Sequence, residues 1–554
     1  MINIFVMFFF MVVSYVMLLV YSMVVYMSDW NIMVEWVIIE LNSISIELML
    51  LVDWVSLLFI SLVMMISSMI ILYSYIYMMG NKFIKRFIFL IILFVLSMVL
   101  MIISPNIISI MFGWDGLGLV SYCLIIFYQN YSSYNSGMVT VLCNRVGDVG
   151  LMMLISLLMV SGSWNLMLYN EGGGYLGMWM LIIAAITKSA QIPFSNWLPM
   201  AMAAPTPVSA LVHSSTLVTA GVYLMIRFNK LLMNSGLNKI LFFLAVFTMF
   251  MSGFMANLEV DLKKIIALST LSQLGLMMMI LSLGLEMVAF YHLLVHAVFK
   301  SMLFMCAGII IHLMVNNQDI RLLGNLKEMI PFVMMCFFIA NLALCGFPFM
   351  AGFYSKDLIM ELIYSVKLNA YILFFIMISL MFTVTYSIRL FYYMFFSNLK
   401  FYSHMYLKEG SVVNISMMIL VILSIIVGSL LNWLFFFDYY LIFLSFDIKM
   451  LTLLMCLMGV GGVMLFSVKL LYNNLNLSYY LSSMWFLNYL YMWSYTPIID
   501  IGGKMFIIDK TWMEFNGVDL LFYVVKYFNK NLMFKVYMYI FIFMYLLMML
   551  YLGF

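Results

Sequence analysis

Charge is what this sequence lacks most. Only 8% of its 554 residues are Asp, Glu, Lys or Arg, where a soluble chain carries about 25%. That is too little to cover a globule, so most of the surface faces lipid and a reading as several soluble domains is excluded. A net charge of +3 leaves no basic footprint for nucleic acid. Cysteine is scarce too. The six (Cys123, Cys143, Cys306, Cys336, Cys345 and Cys456) are dispersed without CxxC spacing, so neither a disulfide framework nor an iron–sulfur ligand set is indicated. HExxH, GxSxG, GxxxxGK[ST] and a strand-placed GxGxxG are missing, which removes hydrolase, NTPase and dinucleotide-binding readings. The first apolar stretch, about Ile4 to Met27, has no basic n-region or small-residue cleavage site. It reads as a retained span, and no Arg- and Ser-rich presequence stands before it.

What is present is apolar: 67% of residues, with a mean hydropathy of +1.16. Methionine alone contributes 61. Met is a flexible filler that suits a membrane interior, but it also replaces Ile where AUA is read as Met in an AT-rich mitochondrial genome. Plentiful Lys, Phe, Tyr and Asn, with Arg confined to positions 86, 145, 227, 321 and 389, favours the second account. It places the protein in the mitochondrial inner membrane.

A span needs roughly 20 apolar residues, and on that rule the chain is all-α and polytopic, with about fifteen transmembrane helices. They fall near 4–27, 52–78, 86–104, 106–128, 135–161, 176–204, 207–229, 239–257, 262–284, 287–314, 331–366, 369–396, 412–436, 446–472 and 537–554. Two look broken, because proline removes a backbone donor and clashes with the preceding turn. The sixth holds Pro193, Pro199, Pro205 and Pro207, and the eleventh holds Gly346-Phe347-Pro348. Each carries a lysine beside its break, Lys188 and Lys356. Such matched breaks point to two inverted five-helix repeats, at 86–229 and 239–396. N-terminal transmembrane helices (1–85) precede them and additional helices (412–472) follow.

Residues 480–535 are aromatic and intermittently charged, with no clean span. Lys504 to Lys535 reads as a lateral amphipathic helix, about 48 Å long at 1.5 Å per residue. A last span, 537–554, anchors it. One face of the bundle collects Lys82, Lys85, Arg86, Lys263, Lys264, Arg321 and a further nine lysines down to Lys535. The other collects Arg227, Lys230, Lys239, Lys367 and Lys449. The positive-inside rule makes the richer face the matrix side, with the N-terminus in the matrix and the C-terminus in the intermembrane space.

Charges inside spans are costly and rarely idle. Asp115 stands near mid-membrane in Gly-Trp-Asp-Gly-Leu-Gly. Asp148 follows with Arg145 three residues earlier on the same helix face. Lys188 lies in the sixth span and His213 after Pro-Thr-Pro. His292, His296 and Lys300 are spaced four apart, and Lys356-Asp357 follows the second break. Each alone could be a structural ion pair or a satisfied polar group. Together they predict a mid-depth chain, with Asp115, Lys188, Lys300 and Lys356 in one plane facing the protein interior. Two unit charges ~4 Å apart at an effective dielectric near 20 interact by about 4 kcal/mol, enough for a moving carboxylate to load or empty a lysine. Histidines relay protons near neutrality. A bis-histidyl haem would need a second histidine pair on a facing helix, and none is present.

Taken together, these motifs resemble the antiporter-like membrane subunits of respiratory complex I (NADH:ubiquinone oxidoreductase). The segments that carry the likeness are Gly113–Gly118, Asn144–Asp148, Lys188–Gln191 running on to Pro205–His213, Asp261–Ile265 with Ser272–Gly275, His296–Lys300 and Gly352–Asp357. The likeness is dense over 100–360. Beyond that it rests on hydropathy and span order, and the C-terminal lateral stretch favours chain 5 over chains 2 and 4.

The resemblance implies a respiratory-chain translocase subunit that pumps protons, coupled to electron transfer from NADH to ubiquinone elsewhere in the complex. It implies no cofactor or metal in this chain; NADH, FMN, iron–sulfur clusters and ubiquinone would be bound by other subunits. By it, Asp115 modulates Lys188 with Asp148 as a second acidic partner; His213, His292, His296 and Lys300 connect; and Lys356 with Asp357 forms the exit. Partners would be other complex I membrane subunits, above all chains 4 and 2, accessory subunits, and lipids such as cardiolipin. Two features depart from the family: Asp115 stands where Glu is usual, as in insect members, and the N-terminus is one span short. A multisubunit Na⁺/H⁺ antiporter subunit and a passive structural membrane subunit are the alternatives.

Overall fold

A computed structural model of the chain describes residues 2–41, 44–166, 174–366, 368–400, 409–437, 442–467 and 475–551. They divide into two compact units, Met1–Trp485 and Phe486–Phe554.

The first unit opens with α1 (Ile2–Ser28). It continues through β1 (Ile32–Leu41) and β2 (Ile44–Val52) to α2 (Trp54–Tyr77), α3 (Ile84–Ile103), α4 (Ile107–Ile125), α5 (Tyr131–Leu158) and α6 (Gly174–Lys188). Next come α7 (Thr206–Arg227), α8 (Asn238–Ala256), α9 (Leu262–Ser282) and α10 (Glu286–Leu313). The unit continues with α11 (Pro331–Cys345), α12 (Ala351–Ser365), α13 (Ala370–Phe391), α14 (Ser411–Leu431) and α15 (Phe446–Ser467). Shorter helical segments at Trp197–Met200, Asn229–Ser235, Leu326–Met329 and Leu475–Ser482 join them. Among the described residues, twelve helices are long and apolar enough to cross a membrane, and two shorter apolar ones are Gly174–Lys188 and Pro331–Cys345.

That corrects several expectations. The sixth span does not continue to 204 as one helix, because α6 stops at Lys188 and short helical segments between Phe194 and Ala203 carry the chain to Thr206. The eleventh is two helices, α11 and α12, separated by residues 346–350. The expected N-terminal helices of 1–85 enclose an antiparallel hairpin, β1 on β2, with a register shift between Val37 and Ile39. Its strands are rich in Ile and Val, which pack well on a pleated surface.

Helix α10 is the hub. It packs on α7, α9, α11, α12 and α14, and nearly all of it is buried. The most apolar windows of α7 and α9 are wholly buried as well, so protein rather than lipid surrounds their polar side chains. One ion pair fixes the start of α2 against the end of α7. Arg227 Nη1 and Nη2 donate to the two Asp53 oxygens at 2.5 and 2.8 Å, and its Nε donates to Tyr223 Oη at 2.7 Å. Asp53 also caps α2 through Ser56. Burial opposes its charge, but Arg227 and the Ser56 hydrogen bonds win and hold the carboxyl below its ordinary range.

In the second unit the expected lateral segment (480–535) and anchor (537–554) are not separated. α16 (Leu487–Ile508) and α17 (Leu520–Tyr551) are joined by π-helical turns at Asp509–Met513 and Phe515–Asp519. The result is one continuous helical run, with 63 residues between Tyr489 and Tyr551, or roughly 95 Å at 1.5 Å per residue. Pro497 sits inside it.

Candidate functional site: two buried lysine clusters

The first cluster gathers α4, α5 and α6. Lys188 ends α6, where the partial negative charge of a helix C-terminus favours a cation. Its side chain is wholly buried. Nζ donates to the Trp114 carbonyl at 3.3 Å and stands 4.9 Å from the Trp114 ring centre. The Trp114 indole Nε1 donates to Asp148 Oδ1 at 2.9 Å, and Arg145 Nε lies 3.7 Å from Asp148 Oδ2. Trp114 therefore joins the lysine to one carboxylate with both its backbone and its ring.

The expected close approach of Asp115 to Lys188 is not present: no ion pair within 4.0 Å joins Lys188 to any carboxylate among the described residues. Both carboxylates act on Lys188 at longer range, Asp148 more strongly than Asp115. Asp115 is half-buried, and its Oδ1 has no hydrogen-bond partner.

His213 lies in a π-helical stretch of α7, Ser209–Thr216, a feature frequent at functional sites. It is buried, with neither ring nitrogen bonded to protein. Its ring centre is 6.2 Å from that of Trp197, whose Nε1 donates to Thr187 O at 3.0 Å. Trp197 thus bridges the end of α6 and His213.

The second cluster is built on α9, α10, α12 and α13. His292 places Nδ1 2.9 Å from Ser355 Oγ and Nε2 3.2 Å from Gln273 Oε1. The centres of His292 and His296 are 6.2 Å apart, and both His296 nitrogens lack protein partners. Lys300 Nζ donates to Ser269 Oγ at 2.5 Å. Lys356 Nζ donates to Thr383 Oγ1 at 2.9 Å and to Leu344 O at 3.5 Å. Asp357, half-buried, faces Thr452 and the charges of Glu361 and Lys449.

Sequence spacing thus brought together His292, His296 and Lys300, and the break placed Lys356 beside them. It missed Trp114, Trp197, Ser269, Ser355 and Thr383. Trp114 stands inside Gly-Trp-Asp-Gly-Leu-Gly, so an indole within a charge-bearing motif was the available signal. Lys263, one of the lysines assigned to the matrix face, is buried, with Nζ donating to Ala204 O at 3.4 Å.

Three stretches of the chain match known families. Residues 36–88 match "NADH-Ubiquinone oxidoreductase (complex I), chain 5 N-terminus", 104–383 "NADH:quinone oxidoreductase/Mrp antiporter, TM", and 386–552 "NADH dehydrogenase subunit 5 C-terminus". NADH-ubiquinone oxidoreductase chain 5 of Anopheles gambiae is 49% identical over 516 residues, covering 89% of this chain and 87% of that one. This chain belongs to the NADH-ubiquinone oxidoreductase chain 5 family. The Aedes aegypti member is 47% identical over 94% of this chain and 93% of its own. The Locusta migratoria member is 48% identical over 91% of each. Among solved structures, the Mrp complex of Dietzia sp. DQ12-45-1b contains a chain of the same fold. It gives a TM-score of 0.74 at 22% identity, covering 88% of this chain and 56% of that chain's length. Every residue of the two lysine clusters from Asp115 to Thr383 lies inside the 104–383 match. The long helix of the second unit lies in the family's own C-terminal stretch.

Proposed function

We propose that this chain, a proton-translocating membrane subunit of complex I, moves protons between its two lysine clusters. Lys188 is the loading group under Asp148 and Asp115. His213, His292, His296 and Lys300 connect, and Lys356 with Asp357 releases. The observation that carries the reading is that Lys188, Lys300 and Lys356 are all buried and, among the described residues, none is ion-paired. Helix clamps would pair their charges, because an unpaired buried charge is strongly destabilising. Amines held by carbonyls and hydroxyls are free to exchange protons, and imidazole nitrogens without protein partners at His213 and His296 are acceptors along the way. A passive structural role accounts for none of this. The chain 5 matches at both ends favour complex I over a Na⁺/H⁺ antiporter subunit.

The finer reading rests on sequence and fold together. Helices α3–α7 and α8–α13 are taken as inverted halves, each interrupted beside a lysine, Lys188 or Lys356. The protein sits in the mitochondrial inner membrane with its N-terminus in the matrix and its C-terminus in the intermembrane space. Its neighbours are chains 4 and 2, accessory subunits and lipids such as cardiolipin. The redox groups belong to other subunits.

The test is Lys188→Ala and Lys188→Arg in the assembled complex, measuring NADH-driven proton pumping alongside NADH oxidation. Arg keeps its proton at any relevant pH, so both variants should lower the two rates together by about a hundredfold, as expected for loss of a proton-transfer group. Native pumping by Lys188→Arg would remove the carrier role.

A further inference from the structure

We propose that protons reach the histidine–lysine row of α10 through a hydroxyl ladder, His312–Tyr77–Tyr73–Thr206, which starts on the face where α2 and α10 both end. The proposal rests on the proton-transport reading above and supplies its uptake route. His292, His296 and Lys300 occupy one i, i+4 row of α10, and rows of this kind wind slowly about a helix. The same row continues through Phe304 and Gly308 to His312. The first three are buried, whereas His312 is exposed.

The contacts run inward step by step. The ring centres of His312 and Tyr77 are 5.6 Å apart, and those of Tyr77 and Tyr73 are also 5.6 Å apart, with the two phenol planes inclined by 27°. Tyr73 Oη and Thr206 Oγ1 share a hydrogen bond of 3.1 Å, both side chains buried. Thr206 begins α7, and His213 follows two turns later on the same helix. Tyr128, 40% exposed, sits beside Tyr77 as a second opening to the surface.

Gly308 is the independent sign that this hydroxyl pair is built in. A Cβ there would run into Tyr73 Oη and lie 2.6 Å from Thr206 Oγ1. The α10 row therefore gives up a side chain so that two hydroxyls can press on its backbone between Lys300 and His312. Each hydroxyl accepts a proton on its oxygen while releasing its own inward, with water between phenols, so no tyrosine is left charged. Tyr77, the ring neighbour of His312, runs directly into the 78–86 segment with Lys82, Lys85 and Arg86, the face the charge distribution assigns to the matrix.

The test uses the assembled complex in inner-membrane vesicles. It measures NADH-driven proton pumping and the solvent deuterium isotope effect on NADH oxidation. Tyr73→Phe should slow pumping about a hundredfold, as loss of a proton-relay group does, and raise the isotope effect, which lost packing alone would not do. Thr206→Val should match it, while Thr206→Ser, which keeps the hydroxyl, should run at the native rate. Should Tyr73→Phe disturb assembly, exposed His312→Gln is the second variant, expected to be slow and to recover with imidazole added on that face. Native rates and isotope effects in Tyr73→Phe, or in His312→Gln where that variant is the one assembled, overturn the ladder, as does equal loss in Thr206→Ser and Thr206→Val. Lys188→Ala in the same vesicles separates the two ideas. If it alone abolishes pumping, the transport reading stands without this uptake route; if it pumps normally, the transport reading itself falls.

Discussion

The two lysine clusters solve the same problem in opposite ways. Lys188 has a carbonyl at 3.3 Å, an indole face at 4.9 Å and two carboxylates acting from longer range. Lys300 and Lys356 have neutral partners only, Ser269, Thr383 and the Leu344 carbonyl, and Lys300 feels the charge of Lys356. A site with stored negative charge can keep a cation at low dielectric. A site of two amines with only hydroxyls cannot hold two at once, since like charges close together are mutually disfavoured. On the reading proposed above, the difference gives the pair a direction: the α4–α6 cluster loads, and the α9–α13 cluster passes on and empties.

The strongest way to break that contrast is to neutralise the carboxylates one at a time. Two unit charges about 6 Å apart at an effective dielectric near 20 interact by about 3 kcal/mol, which is roughly a hundredfold in a proton equilibrium. Asp148→Asn keeps an oxygen for the Trp114 indole but deletes the charge. NADH-driven pumping should fall by about a hundredfold, with the complex assembled. Asp115→Asn should cost less, about tenfold on the same scale, because Asp115 is the weaker of the two influences on Lys188. If Asp115→Asn proves the more damaging, the carboxylate moves toward Lys188 during turnover and the Trp114 bridge describes only one state.

On the other side the hydroxyls are the targets. Ser269→Ala removes the side-chain acceptor of a wholly buried amine, and an unsatisfied buried polar group costs about 1–3 kcal/mol. Thr383→Val leaves Lys356 its Leu344 carbonyl. Thermal unfolding of the complex should therefore start lower in Ser269→Ala than in Thr383→Val, and pumping should fall in the same order. Equal loss would mean that the carbonyl at 3.5 Å contributes nothing.

How much of this was legible beforehand depends on the kind of interaction. Asp115, Asp148, Lys188, His213 and the α10 row stood out because a titratable group in an apolar run is costly wherever it points. The ends of α6, shortly before Pro193, and of α11, at Gly346, follow from proline and glycine acting locally. The hairpin was not, since a short apolar run of β-branched residues reads alike as strand or buried helix and its pairing is non-local. Trp114 is visible as part of a motif, yet its role as bridge depends on the rotation of α4 against α5 and α6, which spacing along one helix does not encode. The Asp115–Lys188 distance was misjudged for the same reason. The long helix from Leu487 was divided at Lys535 because intermittent charges were read as a boundary, while helical hydrogen bonds run past them without interruption.

The smallest expected difference concerns two glycines, one beside each lysine. A Cβ on Gly118 would lie 3.6 Å from Lys188 Nζ, an ordinary contact, and on Gly346 3.4 Å from Lys356 Cδ. Space is therefore nearly equal, but backbone is not. Gly346 sits at φ +80° at the end of α11, where any L side chain is strained by about 1 kcal/mol, whereas Gly118 lies within α4, where alanine is the better helix former by about 1 kcal/mol. Gly346→Ala should lower the unfolding temperature of the assembled complex slightly, and Gly118→Ala should leave it unchanged or raise it. Pumping gives the sharper reading. A methyl against Nζ at Gly118 displaces whatever water reaches Lys188 without touching its carbonyl or indole partners. If Gly118→Ala is more stable yet pumps more slowly, Lys188 is loaded through water on that side. If it is more stable and pumps normally, loading comes from the Trp114–Asp148 side alone.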